Sequence, residues 1–180
     1  MCMHRLAMHR LAIGIALLMS STSGSWADGP NLGRAVSAEE TAAWDISIAP
    51  DGANLPRGSG TPAQGETVYR ATCQACHGER GAGKPNDQLV GGQGTLAGGG
   101  PPIKTVGSYW PYATTLFDYV RRAMPVTAPK SLTDDQVYAV CAYILSLNGI
   151  IGENDAMNAE TLPGVHMPNR NGFIVFSRSR

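Results

Sequence analysis

The chain has 180 residues, 14 basic and 14 acidic side chains, 43% hydrophobic residues and four cysteines. A balanced charge argues against nucleic acid as a partner, because contact with a phosphate backbone requires a basic surface. The length suits one domain with a single hydrophobic core.

The first 27 residues have the pattern of a secretion signal. Arg5 and Arg10 give a basic start, residues 11–19 form an apolar run too short to span a bilayer, and Ser25-Trp26-Ala27 is a small-x-small cleavage site. Of the 14 basic side chains, all but these two arginines remain in residues 28–180, beside all 14 acidic ones. We predict export to the periplasm, with a retained membrane anchor as the alternative and no transmembrane segment after residue 27.

Residues 28–60 are rich in Gly, Pro, Ser and Ala, which is typical of irregular structure. Ser37 and Glu40 have the spacing of a capping box and predict one short helix, with Trp44 close to its end. We expect residues 28–60 to form an N-terminal arm whose large apolar side chain, Trp44, packs against another surface.

A helix is predicted from Thr61, with Pro62 in its first turn, and it leads into Cys73-Gln74-Ala75-Cys76-His77. Cys-x-x-Cys-His is the spacing for covalent attachment of a c-type haem. The two thiols can add to the two vinyl groups of one porphyrin, and the adjacent imidazole then becomes the proximal iron ligand. The sequence therefore predicts one covalent haem c, bound through Cys73, Cys76 and His77.

Three other interpretations of the motif are weaker. A zinc site needs a second pair of ligands, and only Cys141 and His166 remain as candidates. A thioredoxin-like pair is preceded by a strand, whereas this motif follows a helical pattern. A disulfide between Cys73 and Cys76 would leave His77 without a role.

Cys141 has no partner in the mature chain, so it is either a small core residue or a reactive thiol.

A glycine-rich stretch follows the motif. Residues 78–107 contain ten glycines as well as Pro85, Pro101 and Pro102, so regular structure is not expected there. A long loop in a compact domain usually has a function, and this one is predicted to lie against the edge of the haem. Three aromatic residues come next, and each either donates a hydrogen bond to a haem propionate or packs in the core: Tyr109, Trp110 and Tyr112.

Two further helices are predicted. In the first, Thr115 and Asp118 have capping-box-like spacing, and Met124-Pro125 ends the apolar pattern. In the second, Thr133 and Gln136 form a capping box and Asn148-Gly149 closes the helix.

Beyond the last helix, residues 150–180 are predicted to be an irregular C-terminal arm. Its apolar patch, Phe173 to Phe176, either adds an edge strand or covers the core. Residues 61–149 are therefore the predicted folded domain.

The second axial ligand of the iron must come from the mature chain, where Met124, Met157, Met167 and His166 are available. Met124 is the best candidate, because Pro125 holds it at a helix end in the loop that leads into the final helix. A thioether ligand favours the reduced iron and raises the potential, which suits an electron carrier.

The order of helix, Cys-x-x-Cys-His, glycine-rich loop, Met-Pro and final amphipathic helix resembles a class I c-type cytochrome over residues 61–149. The stretches 105–125 and 131–138, together with Leu162-Pro163 and residues 167–173, resemble the cytochrome subunit of the sulfane dehydrogenase of sulfur oxidation and of sulfite dehydrogenases. The resemblance implies an all-α cytochrome c-like domain in which Cys73, Cys76, His77 and Met124 bind the haem.

The resemblance also implies partners. Cytochromes of this group pair with a molybdenum-cofactor oxidoreductase subunit, receive its electrons and pass them to another cytochrome. Some members have two haem domains, whereas this sequence has a single Cys-x-x-Cys-His. The chain is thus expected to be an electron-transfer subunit rather than an enzyme in its own right. The alternatives are a haem peroxidase or a gas-binding sensor, both of which need an open distal site, and a purely structural subunit.

Overall fold

A computed structural model describes residues 32–174. The proposed secretion signal and Phe176 lie outside the described residues. The described chain falls into two units that separate between Trp44 and Asp45. Its helices are α1 (Ala38–Trp44), α2 (Pro62–Thr72), α3 (Gln74–His77), α4 (Ala113–Ala123) and α5 (Asp134–Leu147), and its strands are β1 (Ser59–Gly60) and β2 (Met157–Asn158).

The first unit contains helix α1, which forms as its capping pattern predicts. The Glu40 N–H donates to Ser37 Oγ at 3.1 Å, and the Ser37 N–H donates to the Glu40 carboxylate at 3.0 Å. No residue of this helix is buried, and Trp44 is 87% exposed.

The second unit is built on a close crossing of α2 and α5. Helix α2 begins at Thr61 with a capping box completed by Gln64, and α5 begins at Thr133 with the predicted box to Gln136. At the crossing, a Cβ placed on Gly65 would lie 1.8 Å from the Ala139 carbonyl oxygen, so only glycine fits there. The two helices consequently form the rigid frame of the domain.

Helix α4 begins in a different way from the one predicted. It starts at Ala113 after Tyr112, which makes no side-chain capping bond, so the expected box between Thr115 and Asp118 is wrong. Asp118 instead accepts a hydrogen bond from the Ile48 N–H at 3.0 Å and pairs with Arg122. The carboxylate is therefore used to hold residues near Ile48 against α4, a contact between distant parts of the chain.

Residues 150–174 are mostly irregular, and four of them are buried: Met157, Leu162, Val165 and Met167. β2 pairs antiparallel with β1, with Gly60 opposite Met157, and a single 3₁₀ turn follows at Leu162–Gly164. Leu162 and Met167 are fully buried in the same hydrophobic core as α2, α4 and α5. Most of the predicted C-terminal arm is thus part of the folded unit.

The expected all-α class is confirmed, since the regular structure within residues 32–174 is helical apart from one ribbon of two-residue strands. None of the helices between residues 32 and 174 combines the length and the apolar character that crossing a membrane requires.

Candidate cofactor site

One cavity of about 510 Å³ lies between the end of α2, α3, α4 and α5. That volume is within the usual range for small-molecule and cofactor sites, about 300–1,000 Å³. Four residues singled out from the sequence line it together: Cys73, Cys76, His77 and Met124. Its apolar lining includes Leu89, Val106, Leu116, Val120, Val140 and Ile144.

His77 is held in a defined orientation. Its ring Nδ1 lies 2.8 Å from the backbone carbonyl oxygen of Asp87. A carbonyl can only accept, so Nδ1 carries the proton and Nε2 keeps its lone pair free. A hydrogen bond of this kind fixes the tautomer and the ring orientation of a metal-binding imidazole. His77 is therefore prepared to ligate through Nε2.

The two motif cysteines are separate thiols on the same helical turn. Both are half-buried and free, and the Thr72 hydroxyl oxygen lies 3.4 Å from Cys73 Sγ. Burial raises the pKa of the Cys73 thiol, which keeps it protonated. A disulfide between the two is thus not part of this structure. Within residues 32–174 no cluster of three or more His, Cys, Asp or Glu side chains could hold a metal ion.

Met124 lies at the C-terminus of α4 and faces the cavity from another wall. Its N–H donates to the Val120 carbonyl at 3.1 Å, the last hydrogen bond of the helix. The other candidate ligands lie elsewhere. Met157 and Met167 are buried in the core, His166 is exposed, and none of the three lines the cavity.

Of the three aromatic residues that could reach a haem propionate, Trp110 lines the cavity. Tyr109 packs edge-on against Phe173, with ring centroids 5.2 Å apart, and Tyr112 lies beneath the Arg170 guanidinium at 4.4 Å. These two rings therefore contact the C-terminal segment, whereas Trp110 stays available to the cavity.

Two parts of the glycine-rich stretch contribute to the cavity, residues 85–89 and residues 104–106. The first part is fixed to the motif, since the Asn86 N–H donates to the Cys76 carbonyl at 2.8 Å. The stretch is fixed again at the end of α5, where Asn148 Oδ1 accepts from the Gly91 N–H at 2.9 Å. The predicted loop is thus an ordered part of the site.

Sequence reasoning missed two groups at the cavity. The Asp87 carbonyl that orients His77 is a backbone atom, and residue identity gives no signal for it. Lys104 also lines the cavity, and it is the only lysine or arginine among the lining side chains of the described chain. A lone basic residue just before a run of aromatic residues was the signal available for it.

The lining residues fit a haem. Two free thiols, an oriented imidazole and a thioether open into one apolar cavity, which is the donor set for a covalently bound haem with one His and one Met ligand. Apolar walls also suit the faces of the macrocycle.

Comparison with known proteins identifies the family of the chain. Residues 60–144, which include all four candidate ligands, match the sequence profile of the family described as cytochrome C oxidase, cbb3-type, subunit III. The chain is also similar to the crystal structure of the sulfane dehydrogenase SoxCD from Paracoccus pantotrophus, with 39% identity and a TM-score of 0.73. That match covers 81% of this chain and 72% of the other.

Proposed function

We propose that this chain, which belongs to the c-type cytochrome family, is the electron-transfer subunit of a periplasmic sulfur-oxidising complex. Family membership makes it a haem protein that carries electrons. Bound haem supplies reversible one-electron exchange at its iron, and the polypeptide sets the potential and the access of partners.

The observation that carries the proposal is the convergence of Cys73, Cys76, His77 and Met124 on one cavity. In the proposed site, Cys73 and Cys76 attach a single haem c through two thioethers. His77 would ligate the iron through Nε2, which the bond from Nδ1 to the Asp87 carbonyl leaves free. Met124 would provide a second, thioether ligand from another part of the cavity lining.

The position of Met124 favours electron transfer over the alternatives. A peroxidase or a gas sensor needs a distal site that is open to its substrate. A methionine sulfur at the cavity would occupy that position and stabilise the reduced iron, and both effects suit a carrier.

A molybdenum-cofactor oxidoreductase subunit is the proposed electron donor, and another cytochrome is the acceptor. The similarity to a sulfane dehydrogenase supports this choice of donor class. Large apolar side chains at both ends of the described chain offer binding surface, with Trp44 87% and Ile174 95% exposed. Because the chain has no large net charge, this contact should rest on buried apolar area and resist moderate salt.

Export is part of the proposal, since residues 1–27 have a signal pattern and covalent haem suits an extracytoplasmic carrier. The test begins with the mass of the exported protein. We expect one haem per chain that acidified organic solvent does not extract. An extractable haem, or a mass that lacks it, would contradict the covalent site.

The partner is tested by co-purification with the molybdenum subunit. Deleting residues 173–180 spares the buried Met167, so the core should stay folded and the haem spectrum unchanged. We expect this deletion, and Trp44→Ala, to weaken the association. Leu96→Ala, which trims a partly exposed side chain on the glycine-rich loop, is the matched control. Wild-type association in both test variants would remove the two ends as the binding surface.

A further inference from the structure

We propose that Lys104 binds the carboxylates of the haem, and that the C-terminal segment, residues 167–174, positions it through Tyr109. The inference rests on the proposed function, because it requires haem in the cavity. It assigns to the end of the chain a role in setting the reduction potential, in addition to any role in binding a partner.

The first argument is charge. Haem has two propionate carboxylates, and a carboxylate at an apolar cavity needs a cation or strong hydrogen-bond donors close by. The charged or titratable side chains lining the cavity are those of Cys73, Cys76, His77, Asp87, Lys104 and Tyr119. The two cysteines are assigned to the haem attachment. His77 is committed to the iron, and Asp87 would repel a carboxylate. Lys104 is therefore the cation that this lining offers.

The second argument is position. Lys104 immediately precedes the buried Thr105 and Val106, which also line the cavity, and Trp110 lies six residues after Lys104. A Trp indole N–H is a donor and cannot accept, so Trp110 can add a hydrogen bond to the same anionic group. The two donors thus lie on one short stretch of chain, and both line the cavity.

The third argument is preorganisation. A lysine side chain is long and flexible, so its charge acts reliably only where something restrains it. Lys104 Nζ lies 5.1 Å from the centroid of the Tyr109 ring, within the range of a cation–π contact. The Tyr109 ring is in turn packed against the Phe173 ring, with centroids 5.2 Å apart. The backbone carbonyl of Tyr109 accepts a hydrogen bond from Asn169 Nδ2 at 2.7 Å.

The consequence is electrostatic. A fixed positive charge beside the haem stabilises the reduced form, which has one less positive charge than the oxidised form. Lys104 therefore raises the reduction potential. Loss of the contact with Phe173 frees the Tyr109 ring and, with it, the Lys104 ammonium group. A change at the C-terminal segment therefore reaches the haem through the contacts of Phe173 with Tyr109 and of Tyr109 with Lys104.

The test is the reduction potential of the haem-loaded protein in neutral buffer of fixed ionic strength. We expect Lys104→Gln to lower it, corresponding to a several-fold decrease in the equilibrium constant for reduction, and Lys104→Arg to restore most of it. Lys130→Gln removes the same charge from an exposed lysine that does not line the cavity, and should leave the potential unchanged.

A second pair of variants tests the positioning. Tyr109→Phe keeps the ring and should retain the wild-type potential, whereas Tyr109→Leu removes the ring and should lower it by less than Lys104→Gln does. A potential that is unchanged in Lys104→Gln, or lowered equally by Lys130→Gln, overturns the role of Lys104. A wild-type potential in Tyr109→Leu overturns the role of the C-terminal segment. Wild-type protein without covalent haem would instead contradict the proposed function, and this inference with it.

Discussion

Two walls of the cavity are held in very different ways. The proximal wall, residues 73–89, is tied by a dense set of short hydrogen bonds. The Gly83 N–H donates to the His77 carbonyl at 2.8 Å, the Leu89 N–H donates to the Gly81 carbonyl at 2.9 Å, and the Tyr69 hydroxyl donates to the Gly78 carbonyl at 2.9 Å. His77, the proposed ligand on this side, thus belongs to a continuous hydrogen-bonded structure.

The distal wall carries Met124 at the end of α4. After the bond from the Met124 N–H to Val120, the chain enters a loop in which Val126 is 61% exposed. The comparison teaches that the two proposed ligands differ in how far their loss should spread. A change at the proximal side should destabilise the whole domain, whereas a change at Met124 should alter ligation and leave the fold in place.

The largest effect is expected from breaking the frame beneath the proximal wall. In Gly65→Ala, the new Cβ would lie 1.8 Å from the Ala139 carbonyl oxygen and 2.8 Å from Tyr143 Cβ. Because α2 and α5 would have to move apart, we expect a loss of about 3 kcal/mol in the free energy of unfolding, measured by urea denaturation. Haem attachment should also be less complete, since α2 leads directly into the motif.

Gly164→Ala is the matched control for this variant. A Cβ on Gly164 would meet no atom within 4 Å, so the same chemical change should cost little. If Gly65→Ala unfolded at the same urea concentration as Gly164→Ala, the close crossing of α2 and α5 would not be the frame of the domain.

The next effect separates the two walls directly by comparing two methionines. Met124→Ala should remove the sulfur-to-iron absorption band of the oxidised protein and lower the potential, while the covalent haem remains. Met167→Ala should do the reverse, since Met167 is fully buried and does not line the cavity. We expect it to cost about 3 kcal/mol of stability and to leave the band in place.

Absorption spectra and urea denaturation of both variants check this pair. Loss of the band in Met167→Ala together with its retention in Met124→Ala would show that Met167, and not Met124, is the second ligand. A large loss of stability in Met124→Ala would show instead that the distal wall is as strongly coupled to the fold as the proximal one.

Much of the fold could be predicted because its signals are local. Thr133 and Gln136 lie three residues apart, and each satisfies the backbone N–H of the other, so the start of α5 is encoded within one turn. Thr115 and Asp118 have the same spacing, but the prediction made from it is wrong. Asp118 contacts Ile48, which is 70 residues away, and a local pattern cannot reveal that competition.

The candidate site divides in the same way. Cys73, Cys76 and His77 are a contiguous motif, and Met124 is marked by the following proline, so their proposed roles could be stated from the sequence. Their meeting at one cavity depends on the packing of α2, α4 and α5, which the structure supplies. The carbonyl that orients His77 could not be predicted, since any residue at position 87 has one. The burial of Met167 was also hidden, because turn-rich composition does not tell an exposed arm from a segment that covers a core.

The smallest effect tests the proximal wall through alkaline pH. Tyr69 is fully buried beneath that wall, and burial raises its pKa to about 12. In the unfolded chain a tyrosine ionises near pH 10, so between pH 10 and 12 the folded state keeps a proton that the unfolded state has lost. This stability is fully present below pH 10 and is lost as the pH rises through 12, at about 1.4 kcal/mol per pH unit for each such group. Tyr138, whose pKa burial also raises to about 12, adds to the same slope.

Tyr69→Phe should cost about 1 kcal/mol at neutral pH, because the Gly78 carbonyl loses its donor, and should make the alkaline slope shallower. Tyr119→Phe, which removes a hydroxyl from a side chain that is 46% exposed, is the control and should keep the wild-type slope. Urea denaturation at pH 8, 10 and 11 measures all three proteins. An unchanged slope in Tyr69→Phe would mean that the wall opens before the whole domain unfolds and lets Tyr69 ionise while the rest stays folded. The proximal side would then be the weaker of the two walls.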